Sequence, residues 1–178
     1  MGPSTSKVAG YMFGVMTTKP ARHVRLDPMT PDEYRPWSTK VASTYALAQV
    51  GEGHWDIETA QQQGWDVIQG LLPAGPASPG QHLWIARDPA TERQVGALWI
   101  AIRTAGIGTE AFVYDIHVAD EFQGAGYGRA IMEAAAAAAR SLGAATVALN
   151  VHGANERAFQ LYKSLGYGVT NLHMRMGL

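Results

Sequence analysis

Three glycines alternate along the stretch EFQGAGYGRAIM, at Gly124, Gly126 and Gly128, immediately before a run of residues that favours a helix. Glycine has no Cβ, so the backbone N–H groups around it can approach a ligand closely. At the start of a helix these N–H groups have no partner within the helix, and the helix dipole is positive there. The spacing therefore predicts a site for an anion such as a phosphate group. A strand-to-helix turn that needs positive φ angles is the alternative interpretation of the same glycines.

Two common nucleotide-binding motifs do not fit this loop. A P-loop requires Gly-Lys followed by Ser or Thr, whereas Gly128 is followed by Arg129 and Ala130. A dinucleotide fingerprint requires G-x-G-x-x-G and an acidic residue about twenty positions later. The loop reads G-x-G-x-G instead, and residues 148–150 read ALN. Nucleotide binding of either kind is therefore disfavoured.

The apolar stretch EAFVYDIHVAD contains a carboxylate, Asp115, inside a predicted strand. Burial raises the pKa of a carboxyl group toward a value that is useful in a general base. A structural carboxylate that is hydrogen-bonded to a neighbouring loop is the alternative, and both interpretations stay open. Glu110, Tyr114 and His117 on the same strand are further candidates for the base. His117 has a suitable intrinsic pKa, although a lone histidine in a strand is more often structural.

Capping and hydrophobic patterns predict the elements that position these residues. TPDE at 30–33 combines an N-cap, a proline in the first helical turn and a capping-box glutamate. In chain order we predict a strand at 21–26, helices at 31–50 and 56–72, strands at 81–88, 93–103 and 110–120, a helix at 126–142, a strand at 145–151, a helix at 155–166 and a strand at 167–176. This order is typical of an α/β domain with a mixed sheet, which we place at 21–178. We interpret residues 1–20 as a tail or an edge segment.

The composition restricts the class of protein. A net charge of -1 gives no electrostatic preference for nucleic acid as a partner. The chain has no cysteine, which excludes disulfides, thiolate metal sites and a cysteine nucleophile. Its six histidines have no close carboxylate spacing, so no metal site is predicted. The apolar stretch at 8–16 is too short to span a bilayer, and neither a membrane partner nor a signal peptide is expected. A cytoplasmic protein is the default.

Two segments resemble the GCN5-related N-acetyltransferases (GNAT). QGAGYG at 123–128 is similar to the Q/R-x-x-G-x-G/A motif of that family. LNVHGANERAFQLYKSLGY at 149–167 is similar to its L-x-V-x-x-x-N-x-x-A-x-x-L-Y-x-x-x-G-F/Y segment. The matching positions of the second segment are Leu149, Val151, Asn155, Ala158, Leu161, Tyr162, Gly166 and Tyr167. The resemblance is specific over roughly 110–170, whereas over 21–103 only the order of elements agrees.

The resemblance implies a fold and a donor. The fold is a mixed, mostly antiparallel sheet of six to seven strands with about four helices, in which strands 110–118 and 145–151 splay apart. The donor is acetyl-CoA, whose pyrophosphate binds the amides of 123–129 and whose pantetheine arm pairs with the backbone of 116–118. A backbone N–H near Ile116 is the implied oxyanion donor. The implied donor-binding residues are Ile116, His117, Val118, Gln123, Gly124, Ala125, Gly126, Tyr127, Gly128, Arg129 and Asn155.

Tyr162 is the general acid that the resemblance implies. Asn155, Phe159 and Tyr162 are spaced i, i+4 and i+7 and share one face of their helix. A phenol with a pKa of about 10 can protonate a departing thiolate, whose conjugate acid has a pKa of about 8.5. The alternative is a tyrosine that packs at a junction of helix and sheet. Asn155 is a helix cap, a CoA contact, or both.

The general base and the acceptor are less constrained. In the family the base has no fixed position, and water often relays the proton; we select Asp115 as the candidate. The region 31–80 is predicted to shape the acceptor site. It holds the aromatic residues Trp37, Tyr45, Trp55 and Trp65 and the acids Glu33, Glu52, Asp56 and Glu58. These residues bind an amine by cation–π and charge contacts, or they are simply core and solvated surface.

Two functions follow from the resemblance and the residues together. The first is an acetyl-CoA-dependent N-acetyltransferase that acts by direct attack of a primary amine, on a small molecule or a peptide. The second is a non-catalytic acyl-CoA-binding sensor or scaffold. The sequence leaves open whether the protein forms a homodimer.

Overall fold

The computed structural model describes residues 21–106 and 108–177. The strands are β1 (Arg25–Pro28), β2 (Gln81–Arg87), β3 (Gln94–Ala105), β4 (Gly108–Val118) and β5 (Thr146–Leu149). The helices are α1 (Pro31–Gly51), α2 (Ile57–Leu71), α3 (Tyr127–Ser141) and α4 (Glu156–Ser164), with short 3-10 helices at Gly75–Ala77 and Asp120–Phe122. Residues 1–20, interpreted above as a tail or an edge segment, lie outside the described residues.

The five strands form one mixed sheet in the order β1-β2-β3-β4-β5. Neighbours from β1 to β4 pair antiparallel, and β4 pairs with β5 in parallel. One face of the sheet packs against α1 and α2 through a core that includes Trp37, Ile68 and Trp99. The other face packs against α3 and α4. These features confirm the predicted α/β class, the mostly antiparallel sheet and the four helices.

The predicted count of six to seven strands is not confirmed, because five strands are found in the described residues. The strand predicted at 167–176 is wrong, since this segment pairs with no strand among the described residues. Leu172 and Met174 are 75% and 87% exposed. Arg175 donates a hydrogen bond to the carbonyl oxygen of Glu52 (2.8 Å) rather than to the sheet. An alternating pattern forms a strand only beside an edge that shares its hydrogen bonds.

The helices begin where the capping residues predict. Thr30 and Glu33 form a reciprocal capping box at the start of α1. The Asp56 carboxylate accepts a hydrogen bond from the N–H of Glu58 (2.8 Å) and caps α2. Gly126 precedes α3 with φ at 97°, a conformation that glycine adopts most readily. None of the helices in the described ranges is long and apolar enough to cross a membrane.

A β-bulge interrupts the pairing of β3 with β4. Trp99 pairs with Asp115 and Ile100 pairs with Val113, so Tyr114 is an extra residue in β4. The Tyr114 ring stacks on Trp99, with 4.5 Å between ring centroids. The bulge therefore turns Tyr114 toward the face of the sheet that α1 and α2 cover, and Asp115 next to it faces the same side.

The parallel pairing of β4 with β5 is short. It joins residues 110–113 to residues 146–149 and ends there, whereas β4 continues to Val118. The last part of β4 therefore has no strand beside it on the β5 side, among the residues that the structure describes. This arrangement leaves a gap of the kind that the predicted splaying requires.

Candidate active site

Two adjoining cavities occupy the gap beside the end of β4. The first, which we call the helix cavity, has a volume of about 460 Å³ and is lined by α1, α2, β4 and the end of β5. The second, which we call the loop cavity, has a volume of about 420 Å³ and is lined by the glycine loop and α4. Both are lined by Ile116, His117, Asn155, Ala158 and Tyr162. The shared walls make the two cavities one candidate site.

The loop cavity meets the N-terminus of α3. The backbone N–H groups of residues 126–129 are the first four of this helix and have no carbonyl partner within it. No side chain in the described part of the chain caps them. Gly124 and Gly126 have φ angles of 73° and 97°, so the loop also needs glycine for its turn. Both interpretations of the glycines therefore apply, and the geometry suits an anion.

Gly128 has a different role from the two glycines before it. A Cβ at this position would lie 3.3 Å from Cδ2 of Leu161. Glycine therefore allows the first turn of α3 to approach α4 closely. This contact brings the glycine loop and α4 together as two walls of the loop cavity.

The structure places the predicted loop residues in two groups. Gln123, Gly124, Gly126, Gly128 and Arg129 line the loop cavity, and so does Val118. Ala125 and Tyr127 line neither cavity. Tyr127 is 3% exposed, and its hydroxyl donates a hydrogen bond to the buried carboxylate of Asp88. The side chains of these two residues therefore do not take the donor-binding role that the resemblance implies.

Two arginines border the loop cavity. The Arg129 guanidinium donates to Oγ of Ser164 (2.6 Å), which holds it over α4. Arg157 was not singled out in the sequence, yet it also lines this cavity. Its Nη2 lies 3.7 Å from the position that a Cβ on Gly124 would take. A basic residue in the first turn after a helix cap was the signal that could have indicated it. Two cations beside unpaired amides favour a multiply charged anion.

Asp115 faces the helix cavity and is held by Trp37. Nε1 of Trp37 donates a hydrogen bond to Oδ2 of Asp115 (3.1 Å). Burial raises the pKa of the Asp115 carboxyl to about 6, although the Trp37 hydrogen bond and the nearby Lys40 charge oppose this shift. The carboxyl is therefore mostly ionised above neutral pH and can accept a proton.

His117 is paired with a lysine that sequence analysis did not single out. Nζ of Lys40 lies 2.9 Å from Nε2 of His117. An ammonium group can only donate, so Nε2 is the acceptor and the ring proton lies on Nδ1. Burial and the Lys40 charge lower the pKa of His117, which keeps the ring neutral near pH 7. The only sequence signal for Lys40 was its position one helical turn after Trp37.

Tyr162 lies where the two cavities meet. It is 8% exposed, and its ring packs against Tyr167 with 5.7 Å between centroids. Burial, and then the negative charge of Asp115, raise the pKa of Tyr162. The phenol therefore stays protonated and able to donate near neutral pH. Within residues 21–106 and 108–177 its hydroxyl makes no hydrogen bond.

Asn155 is placed beside Tyr162 on the same helix. Its Oδ1 accepts a hydrogen bond from the N–H of Ala158 (3.1 Å), so Asn155 is the N-cap of α4. It also lines both cavities. The cap is therefore confirmed, and the contact with CoA stays a prediction.

The other candidates for the base differ in position. Glu110 lines neither cavity and is paired with Arg103 (2.9 Å) at the far end of β4. Tyr114 lines the helix cavity but stacks on Trp99. Nε2 of His117 already accepts a hydrogen bond from Lys40, and the ring is neutral. Asp115 thus has the most suitable position and charge of the four.

The aromatic and acidic residues of 31–80 are only partly gathered at the cavity. Trp37 and Tyr45 line it, and Trp55 packs edge-on against Tyr45 at 5.4 Å. Trp65 does not line it and is 36% exposed.

Of the four acids, Glu33 and Asp56 cap helices. Glu58 is exposed. The Glu52 carboxylate lies 2.8 Å from Nδ1 of His152, which lines the helix cavity. Most of the aromatic and acidic residues singled out in 31–80 are therefore part of the core, of helix caps or of the solvated surface. Within the described parts of the chain, no group of three histidine or acidic residues is placed to hold a metal ion.

Comparison with known proteins identifies the family to which this chain belongs. The sequence model described as the acetyltransferase (GNAT) family matches residues 44–167. This range includes the glycine loop, Asp115 and Tyr162. The chain therefore belongs to the GNAT family of acetyltransferases.

Two proteins of Bacillus subtilis (strain 168) are similar over most of the chain. The uncharacterized N-acetyltransferase YycN is 34% identical over 152 residues, which are 85% of this chain and 96% of YycN. The uncharacterized N-acetyltransferase YdgE is 29% identical over 153 residues, which are 86% of this chain and 97% of YdgE. The crystal structure of YycN superposes with a TM-score of 0.81 and covers 87% of this chain and 98% of YycN.

Proposed function

We propose that this protein transfers an acetyl group from acetyl-CoA to a primary amine of a small molecule or peptide. One observation carries the proposal: an ionisable carboxylate, Asp115, and a protonated phenol, Tyr162, line the same cavity beside the unpaired end of β4. A base and an acid in one site are what amide formation from an amine and a thioester requires. The absence of cysteine favours direct attack over a thiol-linked acyl-enzyme.

The loop cavity suits the phosphates of the donor. The unpaired N–H groups of 126–129 and the arginines Arg129 and Arg157 offer hydrogen bonds and positive charge to a pyrophosphate. From there the pantetheine arm would extend along the unpaired edge of 116–118 into the helix cavity. A backbone N–H near Ile116 would donate to the thioester oxygen as negative charge develops on it.

The reaction then balances with the residues present. The amine nitrogen forms a bond to the carbonyl carbon, and the carbon–sulfur bond breaks. Asp115 takes the proton that the amine loses, directly or through water. Tyr162 donates its hydroxyl proton to the departing thiolate. The products are an N-acetylated amine and CoA, and proton exchange with water restores both side chains.

A thiol assay tests this proposal cleanly, because the chain has no cysteine and contributes no thiol of its own. The protein is incubated with acetyl-CoA and a panel of primary amines, and released CoA is titrated with a thiol reagent. Mass spectrometry of the amine should show the mass increase of one acetyl group. CoA release without an acetylated product, or no release with any amine, would contradict the proposal.

The non-catalytic alternative makes a different prediction in the same experiment. A sensor or scaffold would bind acetyl-CoA in calorimetry and leave every amine unmodified. Asp115 and Tyr162 favour the enzyme, because a binding module does not need an acid and a base. We also infer a cytoplasmic location, which cell fractionation would test.

A further inference from the structure

The helix cavity has an apolar wall on the side of α1 and α2. Val41, Tyr45 and Ala48 line it from α1, and Val67 and Leu71 line it from α2. Trp37 and Trp99 lie between these helices and the sheet. A wall of this kind favours an apolar body in whatever molecule fills the cavity.

Two opposite charges face the same space. Among the described residues that line the helix cavity, Lys40 is the only lysine or arginine, and Asp115 is the only acid. His117 is neutral, and His152 lies beside Glu52. Lys40 is on α1 and Asp115 on β4, so a ligand between α1 and the sheet meets both.

Lys40 has hydrogen-bonding capacity to spare. An ammonium group has three N–H donors, and Nζ of Lys40 uses one of them, toward Nε2 of His117. No further partner is found for it within the described ranges. The positive charge of Lys40 would repel an ammonium group of a ligand placed beside it. A carboxylate of a ligand at the same place would gain a charge-assisted hydrogen bond.

We propose that the acceptor is an apolar primary amine that also carries a carboxylate, which Lys40 binds while the amine lies toward Asp115. This inference rests on the proposed N-acetyltransferase function and adds the class of its acceptor. An apolar amino acid has this chemistry, and so does an arylalkylamine with a carboxylate on its ring. A peptide amine without a nearby carboxylate does not.

Matched pairs of acceptors test the inference. Each pair has the same apolar body with and without a carboxylate: L-phenylalanine and phenethylamine, L-leucine and isopentylamine, 4-(aminomethyl)benzoate and benzylamine. The third pair places the carboxylate far from the nitrogen, so the pairs also report the separation that fits. In at least one pair, kcat/KM should favour the carboxylate by about ten- to hundredfold, the range for a hydrogen bond to a charged group.

Three variants assign this preference to one side chain. Lys40→Met should abolish the preference and Lys40→Arg should retain most of it. Lys163→Met, at an exposed lysine on α4 outside both cavities, should leave it unchanged. The preference is compared between wild type and variant, so differences in intrinsic amine reactivity cancel. Because Lys40 is exposed, its replacement should not prevent folding.

The outcomes separate this inference from the proposed function. Turnover of both members of every pair at similar rates would overturn the inference and leave the acetyltransferase intact. A Lys40→Met variant that raises KM for acetyl-CoA, with the acceptor preference kept, would also overturn it. If no amine is acetylated, the proposed function fails. Calorimetry with L-phenylalanine and phenethylamine then still decides whether Lys40 selects the carboxylate, and equal binding would overturn the inference.

Discussion

Tyr162 is the residue for which the hydroxyl and the ring can be separated most clearly. Tyr162→Phe keeps the ring that packs against Tyr167 and removes a hydroxyl with no partner in the described structure. We expect turnover to fall about ten- to thousandfold, because help from a general acid is lost but a thiolate still departs without it. Steady-state kinetics with the best amine, at saturating acetyl-CoA, measures this change.

Tyr45→Phe is the matched control for that variant. Tyr45 lines the same cavity and packs against Trp55, but the proposed mechanism gives its hydroxyl no proton to transfer. CoA affinity and melting temperature should change little in either variant. If Tyr162→Phe turns over at the wild-type rate across pH 6–9, Tyr162 is a packing residue.

Asp115 should determine the acid side of the pH profile. Its pKa of about 6 in the folded protein means that this proposed base is protonated, and unable to accept a proton, below that pH. In wild type, kcat/KM should therefore rise with pH through about 6. In Asp115→Asn it should be about a hundred- to thousandfold lower and lack this rise. If kcat/KM of Asp115→Asn still rises with pH through about 6, another group is the base.

The same substitution should stabilise the fold. The folded pKa of Asp115, about 6, lies above its ordinary value of 3.8. At a pH where the carboxyl is protonated in both the folded and the unfolded protein, its burial therefore does not lower the free energy of unfolding. As pH rises from about 4 to about 6, the unfolded protein loses the proton more readily, and the free energy of unfolding falls. Above that range Asp115→Asn should be more stable than wild type by about 1–3 kcal/mol. Urea unfolding at pH 4 and pH 7 measures the difference, which should be near zero at pH 4.

At the scale of the element, the start of α3 offers a test with an internal control. Gly126 and Gly143 both have positive φ angles, 97° and 81°, so alanine strains the backbone at either position. Gly126 lies in the loop cavity, whereas Gly143 follows α3 and has nothing within 4 Å of a Cβ. Both Gly126→Ala and Gly143→Ala should lower the melting temperature.

Only the first of these variants should weaken donor binding. In the proposed binding mode the phosphates approach the N–H groups of 126–129, and a Cβ at Gly126 would stand beside them, 3.5 Å from Cγ of Arg22. We therefore expect about a ten- to hundredfold loss of CoA affinity in calorimetry. Equal affinity in the two folded variants would place the pyrophosphate elsewhere.

Elements with local signals were predicted well, and those that depend on distant partners were not. The capping residues Thr30 and Asp56 lie within the segments that they cap, so α1 and α2 could be located from sequence. The strand at 167–176 was wrong because pairing depends on a second strand that the pattern does not reveal. Lys40 was missed for a related reason: a lysine on a helix has the pattern of a solvated residue until the facing strand is known.

At the scale of the whole molecule, the two cavities predict how the substrates combine. The two cavities share the wall around Tyr162, but the loop cavity extends to the start of α3 and the helix cavity extends to α1 and α2, so the proposed donor and acceptor can be bound together. With direct attack and no cysteine, double-reciprocal plots of rate against amine at several acetyl-CoA concentrations should intersect. Parallel lines would indicate an acyl-enzyme and would contradict direct attack.

The extra residue in β4 has a consequence for which side chains can take part in chemistry. Alternate residues of a strand point to opposite faces, and before the bulge the odd-numbered residues Ala111 and Val113 belong to the core under α3. After it the parity is inverted: the even-numbered Ile116 and Val118 pack on that core, while Asp115 and His117 reach the side chains of α1. If Tyr114 were paired as a regular residue of β4, the alternation of an unbroken strand would direct Asp115 and His117 into the hydrophobic interior and Ile116 and Val118 toward the helix cavity. The bulge thus accommodates Tyr114 as an extra residue and determines that the carboxylate and the imidazole lie on the side of α1 and α2.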